Sequence, residues 1–488
     1  MNLPIPKEIL SITERLETSG FEAYVVGGCV RDMLHEKKPK DWDVTTNATP
    51  EQIQKIFENT FYENDYGTVG VVNDETKDET LRVVEVTPYR SEGVYTDKRR
   101  PDSVKFVSSI EEDLGRRDFT VNAIAFSVSK GQIIDPYKGQ KDIKDKIIKA
   151  VGNAEERFDE DALRLLRAIR IATETSFTIN QDTEKALKNK ANLLESISKE
   201  RIRDEFIKII MSDNPMSGII LMQKLGILKY VIHETEKGLH VKQNGDHIYD
   251  VWEHNLRAVQ HSADRKWPLH VKLAALFHDV SKPETRRWSD EKKDYTFYGH
   301  DVVGGRVTKK IMERLRFSTK LTDTVSKLVR YHLFFSDVDK ITLSAVRRLV
   351  RNVGPENVWD LMKVRACDRI GMGRPKETPY RLRKYESMIE EAMRAPVSVG
   401  MLKIDGAKIM EVTQETPGPR IGFILHALLE EMFDAPDKNN PEYLEKKAIE
   451  LSKLSDKKLK ELGESGKEKK EEVEGKEIGE IRKRHWVK

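Results

Sequence analysis

Apolar and polar positions change period along the chain, and the change divides it. From Ile9 to Leu16 apolar residues recur at helical spacing until Gly20 breaks the run. Ala23-Tyr24-Val25-Val26 is a continuous apolar stretch that predicts a buried strand ending at Gly27-Gly28. After Lys40, Trp42 and Val44 alternate with Asp41 and Asp43, the period of a second strand. Asn47 and Thr49 then offer caps to a helix opening at Pro50-Glu51-Gln52. The β-branched runs Thr68–Val72 and Leu81–Val86 predict two further strands across a polar turn. From Ala154 onward strand-like runs almost vanish. Asp161–Ala172 places leucines and isoleucines on one helical face and arginines on the other, and Ser198–Met211 repeats this with Arg201, Arg203 and Lys208. A third helical stretch, Leu239 to Arg374, holds most of the histidines.

These periods predict a mixed α/β head over residues 1–150, a helical neck over 151–238, a helical body over 239–375 and a helical tail over 376–488. Within the tail, the last 45 or so residues are mostly Lys and Glu around SGKEKKEEVEGKE, a composition that predicts disorder. The length of 488 residues agrees with about three domains at roughly 150 residues each. No run of about 18 apolar residues occurs, so no membrane-spanning helix is expected. The first residues lack the basic-then-apolar profile of a secretory signal. Two cysteines, Cys29 and Cys367, can build neither a disulfide framework nor a four-thiolate zinc site. The expectation is a cytoplasmic chain with no membrane partner. Lys+Arg of 85 against Asp+Glu of 82 leaves a net charge of +3, but the arginines cluster at 99–100, 116–117, 164/167/170 and 201/203. Such clusters suit a polyanion or a solvated helix face, and charge alone does not choose.

The head carries a more particular signal. Glycines at a strand end let backbone approach phosphate oxygens, and the helix that follows presents free N–H groups. Two carboxylates at i and i+2 on a strand, Asp41 and Asp43, share a face and can share divalent cations. Metals held this way clamp the attacking and leaving oxygens of a phosphoryl transfer, and Arg31 is placed to contact a triphosphate. Asp161 and Arg164 are spaced either for an ion pair on an exposed face or for reading a base edge. Glu85 ends an apolar strand and is either a third carboxylate that deprotonates a hydroxyl or a structural partner of an arginine.

The order of these motifs resembles the class II family of bacterial CCA-adding tRNA nucleotidyltransferases and poly(A) polymerases. The residues that carry it are Gly27-Gly28-Cys29-Val30-Arg31-Asp32, Asp41-Trp42-Asp43-Val44-Thr45-Thr46, Gly67-Thr68-Val69, Glu85-Val86-Thr87-Pro88-Tyr89-Arg90, Arg99-Arg100-Pro101-Asp102 and Glu112-Asp113-Leu114-Gly115-Arg116-Arg117-Asp118-Phe119-Thr120-Val121-Asn122-Ala123-Ile124-Ala125. Glu160-Asp161-Ala162-Leu163-Arg164-Leu165-Leu166-Arg167 and Glu200-Arg201-Ile202-Arg203-Asp204-Glu205-Phe206 extend it into the neck. The resemblance implies a nucleotidyltransferase palm that transfers nucleotides from CTP and ATP to the 3′ end of tRNA. It implies Mg²⁺ on Asp41 and Asp43, and nucleotide contacts at Gly28, Arg31, Arg117 and Asp118. It further implies base selection by Asp161 and Arg164, and triphosphate or primer contacts at Arg167 and Arg170. A carboxylate accepts from the exocyclic amino group that C and A share, and a guanidinium donates to ring nitrogen or carbonyl oxygen.

Complete CCA addition is favoured over poly(A) synthesis by two stretches. Glu92–Pro101 resembles the flexible loop of CCA-adding enzymes, and Pro417-Gly418-Pro419-Arg420-Ile421-Gly422 resembles their tail. Enzymes that add only C or only A share nearly all of these residues. The body has its own pattern: His254, the pair His278-Asp279, His300, His332 and Asp368. An adjacent His-Asp pair can place a ring nitrogen and a carboxylate oxygen on one cation. The order resembles the HD phosphohydrolase superfamily, which implies a divalent metal of unspecified identity on these six residues and either hydrolysis of RNA ends or nucleotides, or a retained scaffold. The sequence leaves the oligomeric state open.

Overall fold

A computed structural model describes residues 3–62, 67–92, 104–107, 109–245, 247–334, 340–394 and 398–488. Most of the loop 92–101 and its Arg99-Arg100-Pro101-Asp102 motif lie outside the described residues. The chain forms two compact units, residues 1–332 with 363–375, and residues 333–362 with 376–488. Segment 333–362, read from sequence as part of the body, therefore belongs with the C-terminal unit.

The first unit opens with α1 (Lys7–Thr18), β1 (Ala23–Val26), α2 (Gly28–Leu34), β2 (Asp43–Thr46), α3 (Pro50–Ile56), β3 (Thr60–Tyr62), β4 (Val69–Val72) and β5 (Val83–Pro88). A hairpin of β6 (Arg90–Glu92) and β7 (Val104–Phe106), then α4 (Ile110–Gly115), β8 (Ala125–Ser127), β9 (Gln132–Ile134) and α5 (Gly139–Lys144), complete the head. Seven strands make one mixed sheet in the order β3-β4-β5-β2-β1-β8-β9, in which β2 and β5 run parallel and the other pairs antiparallel. The predicted cap is present as a capping box: Thr49 accepts from the Gln52 N–H while Gln52 accepts from the Thr49 N–H. Gly27 ends β1 at φ +82°, and a Cβ there would lie 3.2 Å from Arg117 and 3.3 Å from Asp43. Both the left-handed turn and the close approach of those two side chains call for glycine.

The neck begins with the two-residue β10 (Ile147–Ile148), α6 (Ala154–Glu160) and α7 (Arg164–Thr175). Parallel pairing with β10 fixes β11 (Thr178–Ile179), before α8 (Gln181–Lys190), α9 (Lys199–Met211), α10 (Pro215–Lys224) and α11 (Lys229–Glu236). Leu165, Leu166, Ala168, Ile169, Ile171 and Ala172 of α7 are buried, which is the apolar face predicted. α12 (Val251–Asp264), α13 (Leu269–Phe277), α14 (Lys282–Thr285), α15 (His300–Arg314) and α16 (Thr319–Tyr331) build the body. A hairpin of β12 (Arg287–Ser289) and β13 (Asp294–Thr296) interrupts the helices where the sequence reading expected none. Among the described residues no single helix is long and apolar enough to cross a membrane.

The second unit contains α17 (Leu343–Val353) and α19 (Tyr380–Met393), and the residues of α18 (Val358–Gly371) up to 362 are assigned to it, the rest to the first unit. It continues with α20 (Gly406–Thr413), α21 (Pro419–Asp434), α22 (Pro441–Ser452) and the 29-residue α23 (Asp456–Arg484). The predicted disorder of the tail is thus corrected to a helix. Averaged composition hides a buried stripe at Leu459, Gly463 and Gly466, spaced i, i+4, i+7 along α23. The stripe lets α23 lie against α21: a Cβ on Gly463 would meet Phe423 at 2.7 Å, and one on Gly466 would meet the His426 carbonyl at 2.1 Å. On the outer face the charges make i, i+4 pairs such as Lys476–Glu472.

The same substitution at two positions of this helix should then act in opposite directions. Gly466→Ala should lose about 1–3 kcal/mol from overpacking. Gly475→Ala has open space around it and should gain about 1 kcal/mol of helix propensity. Urea unfolding followed by circular dichroism measures both, and equal effects would mean that α23 does not pack on α21.

Candidate functional site

The head and neck enclose a polar cleft of about 310 Å³. Its walls are Gly27 and Gly28, Asp43 on β2, Arg90, the turn after α4 (Arg116, Arg117, Asp118, Asn122), and Asp161, Leu163, Arg164, Arg167 and Arg201 from the neck. Six arginines face three carboxylates, a balance that suits a polyphosphate.

Arg116, Arg117, Arg164, Arg167 and Arg201 are each held by a protein group. Asp113, with no exposed surface, accepts from Arg116 at 2.7 Å and from Arg117 at 3.0 Å. Burial alone would raise its carboxyl pKa, but the two guanidinium groups hold it below the ordinary value. Arg164 donates to Glu160 at 2.5 Å and to the carbonyls of Arg157 and Arg116, which fastens α7 to α6 and to the head turn. Arg167 pairs with Asp118 at 2.6 Å. Asp118 also accepts from Asn122, whose own amide oxygen accepts from Arg31 at 2.8 Å. Burial would push the Asp118 carboxyl up, yet Arg167 and Asn122 hold it well below the usual carboxylate range.

Asp161 caps the end of α6 rather than lying on the face of α7. Its Oδ1 accepts from the Leu163 N–H and its Oδ2 from Arg201, both at 3.0 Å, so the carboxylate is oriented at the cleft wall. Glu85 on β5 is the direct register partner of Asp43 on β2, which sets two carboxylates side by side in a parallel ladder. Asp41 lies exposed two residues before Asp43. This oxygen-only donor set fits a hard divalent cation.

The structure therefore gathers Gly28, Asp43, Arg117, Asp118, Asp161, Arg164 and Arg167 at one cleft. Three expected residues sit elsewhere. Arg31 is buried in a pair with Asp32 and bonded to Asn122. Arg170, one turn beyond Arg167, pairs with Glu205 of α9 and with Glu174. Asp41 is outside the lining. Sequence reasoning did not assign Arg90, Asp113, Arg116, Asn122 or Arg201 to the site. Arg201 could have been found as the basic residue opening the Glu200–Phe206 motif.

The body holds a second centre. His254, His278, Asp279 and Asp368 bring one ligand atom each within 4.8 Å of one another, as do Asp279, His300 and His332, and all six residues are buried. Asp279 joins the two sets: its Oδ2 lies 3.1 Å from His254 Nε2, and its Oδ1 lies 3.3 Å from His300 and 3.6 Å from His332. Three rings are aimed the same way. Nδ1 of His278, His300 and His332 contacts the carbonyl three residues earlier, at 2.8, 2.6 and 2.7 Å. The tether turns each Nε2 toward the shared carboxylate, which is how a metal-ligating histidine is oriented. Lys282 pairs with Asp279 at 2.6 Å and Arg365 pairs with Asp368. Lys282 also donates to Gln243 at 2.6 Å and lies 3.5 Å from His247. None of Lys282, Gln243 or His247 was singled out from the sequence; the i+3 spacing of Lys282 from Asp279 is the available signal. The mixed nitrogen and oxygen donors fit a divalent transition metal.

Fold and sites define a nucleotidyltransferase with an appended HD body. Residues 23–149 match the family described as Poly A polymerase head domain, residues 176–239 that of the probable RNA and SrmB-binding site of polymerase A, and residues 245–369 the HD domain. The CCA-adding enzyme of Leuconostoc mesenteroides is 31% identical over 432 residues, 86% of this chain and 91% of that protein. That of Ligilactobacillus salivarius is 45% identical over 225 residues, 46% of this chain and about half (54%) of that protein. The Bacillus stearothermophilus CCA-adding enzyme, solved in complex with CTP, has a TM-score of 0.59 and 27% identity, and the match covers 91% of this chain and 96% of that one. The chain belongs to the CCA-adding enzyme family.

Two outcomes follow. Because the Asp118 carboxyl is held low, its stabilisation is complete above the ordinary carboxylate pKa of about 4 and is lost as pH falls toward the folded value. The stability gap between the wild type and Asp118→Asn should therefore be wider at pH 7 than at pH 3 in denaturant titrations. For the body, His278→Ala should lose tightly held metal after dialysis against Mn²⁺, whereas Asp43→Asn should retain it, as read by elemental analysis.

Proposed function

We propose that the chain adds C, C and A to the 3′ end of tRNA, using CTP and ATP and releasing pyrophosphate. One observation carries this reading: Asp161, with both oxygens oriented by Arg201 and the Leu163 N–H, shares the arginine-lined cleft with Asp43. A carboxylate presented this way accepts from the exocyclic amino group of C or A, where U and G offer oxygen. Arg164 beside it donates to the ring nitrogen or carbonyl. Arg116, Arg117 and Arg167 receive the triphosphate, and Gly27-Gly28 let it approach the backbone. Asp43 and Asp41 would hold Mg²⁺, which supplies charge stabilisation for the attacking 3′-oxygen and the leaving pyrophosphate. Glu85, alongside Asp43 in the sheet, is placed to take the 3′-hydroxyl proton. Two free, buried cysteines accord with work in the cytoplasm.

A second reading concerns the HD centre. Its two ligand sets joined through Asp279 favour metal-dependent hydrolysis of phosphoesters there.

The test uses end-labelled tRNA transcripts ending before CCA, after C and after CC, each given CTP, ATP or both. Stepwise completion to CCA is expected. An unbounded A ladder would mean poly(A) synthesis, addition of A only after CC an A-adding specialist, and arrest at CC a C-adding one. Asp43→Asn should lower kcat by about 10²-fold or more, and His278→Ala should leave transfer unchanged.

A further inference from the structure

Between the ligands His278-Asp279 and His300 the chain inserts the β12–β13 hairpin, which supplies no ligand. Both of its roots are tied to the HD centre. Lys282, which opens α14, pairs with Asp279, and the Phe297 carbonyl, just past β13, holds the His300 ring at 2.6 Å. The Lys282 ammonium group also lies 5.6 Å from the centre of the Phe297 ring.

The hairpin exposes large rings. Trp288 on β12 is 54% exposed and Tyr298, two residues before His300, is 74% exposed. Trp288 does not hang loose: its register partner Tyr295 meets it edge-on with ring centres 5.2 Å apart, and its indole N–H donates to Asp290 at 3.1 Å. Its one polar atom is engaged while more than half of its surface stays open. An ordered indole exposed in this way is a stacking surface.

Cations stand beside it. Arg286 stacks on Tyr295 at 3.5 Å. Arg287 donates to the carbonyls of Glu284 and Arg286, and Lys292 donates to the Tyr298 hydroxyl. These cations bond to neutral groups and keep their attraction for phosphate. Asp290 and Asp294 likewise accept from neutral N–H groups and keep their charge, so with Lys293 and Glu291 the segment Arg286–Asp294 carries four cations against three carboxylates.

We propose that β12–β13 is a platform for unpaired RNA: a base stacks on Trp288, its phosphates meet Arg287 and Lys292, and the strand is led toward the HD centre. Alternating aromatic and cationic groups suit single strands, whose bases are free to stack, rather than duplex. The inference rests on reading that centre as a phosphoester-hydrolysing site.

The experiment titrates the full chain with an oligoadenylate of about six nucleotides, in EDTA so that no hydrolysis occurs. Wild-type tryptophan emission should be quenched. Trp288→Phe, which keeps a ring, should lose that quench yet bind within about threefold of wild type by anisotropy of a labelled strand. Trp288→Ala should bind about tenfold more weakly while extending tRNA transcripts normally. Equal quenching in wild type and Trp288→Phe, unchanged affinity in Trp288→Ala, or equal binding of a duplex of the same length would overturn the platform. Hydrolysis of bis(p-nitrophenyl) phosphate by metal-loaded enzyme, with affinity indifferent to Trp288, would sink the platform alone. Affinity that depends on Trp288 without any such hydrolysis would support the platform and remove the reading beneath it.

Discussion

At the head cleft one ion pair, between buried Asp118 and the half-buried Arg167, joins the neck to the head. Asp118 belongs to the turn after α4 and Arg167 to the neck helix α7, so the pair fixes the neck against the sheet. Removing Arg167 would leave the buried Asp118 carboxylate without its cation, whereas the partly exposed Arg167 could still be solvated. The pair is also embedded. Asn122 donates to Asp118 and accepts from Arg31, which pairs with Asp32 at the end of the glycine turn. A single polar chain thus runs from α2 through the turn to α7. Because α7 is pinned there, Arg164 one turn earlier reaches the cleft and the Arg116 carbonyl together.

The HD centre reaches rigidity by another route. Its rings are held through carbonyls of their own chain, each three residues back, so His278, His300 and His332 are aimed by local helix or turn geometry. Long-range packing then has only to bring the ends of those segments together. His278 follows the apolar α13, and His332 follows α16, whose Val325, Leu328 and Val329 are buried. Burial alone would strip the proton from His278, but Asp279 and Asp368 draw its pKa upward, while burial lowers that of His332.

Local patterns were legible in the sequence. The capping box at Thr49, the glycine turn before α2 and the arginine stripe of α7 all rest on residues within a few positions of one another. What escaped was set by distant partners. Arg31 meets Asn122 across 91 residues and Arg170 meets Glu205 across 35, and in both cases a side chain expected at phosphate is committed to a protein group. Periodicity cannot show this, since the stripe Arg164, Arg167, Arg170 rotates as it advances and only its first two members face the cleft. The tail failed for a different reason. Composition registers Lys and Glu, whereas the packing of α23 depends on two glycines whose missing side chains admit α21.

The two centres also differ in the donors they offer, and that difference keeps them chemically separate. Asp43 and Glu85 on the central strands β2 and β5, with Asp41 just before β2, present only oxygen, a donor set suited to a small hard cation that keeps several waters. The HD residues present ring nitrogens and carboxylates with little exposure, a set that prefers softer, more tightly held ions. The choice of nitrogen or oxygen, made residue by residue on strands and helices, is therefore what sets the two groups of carboxylate-bearing residues apart.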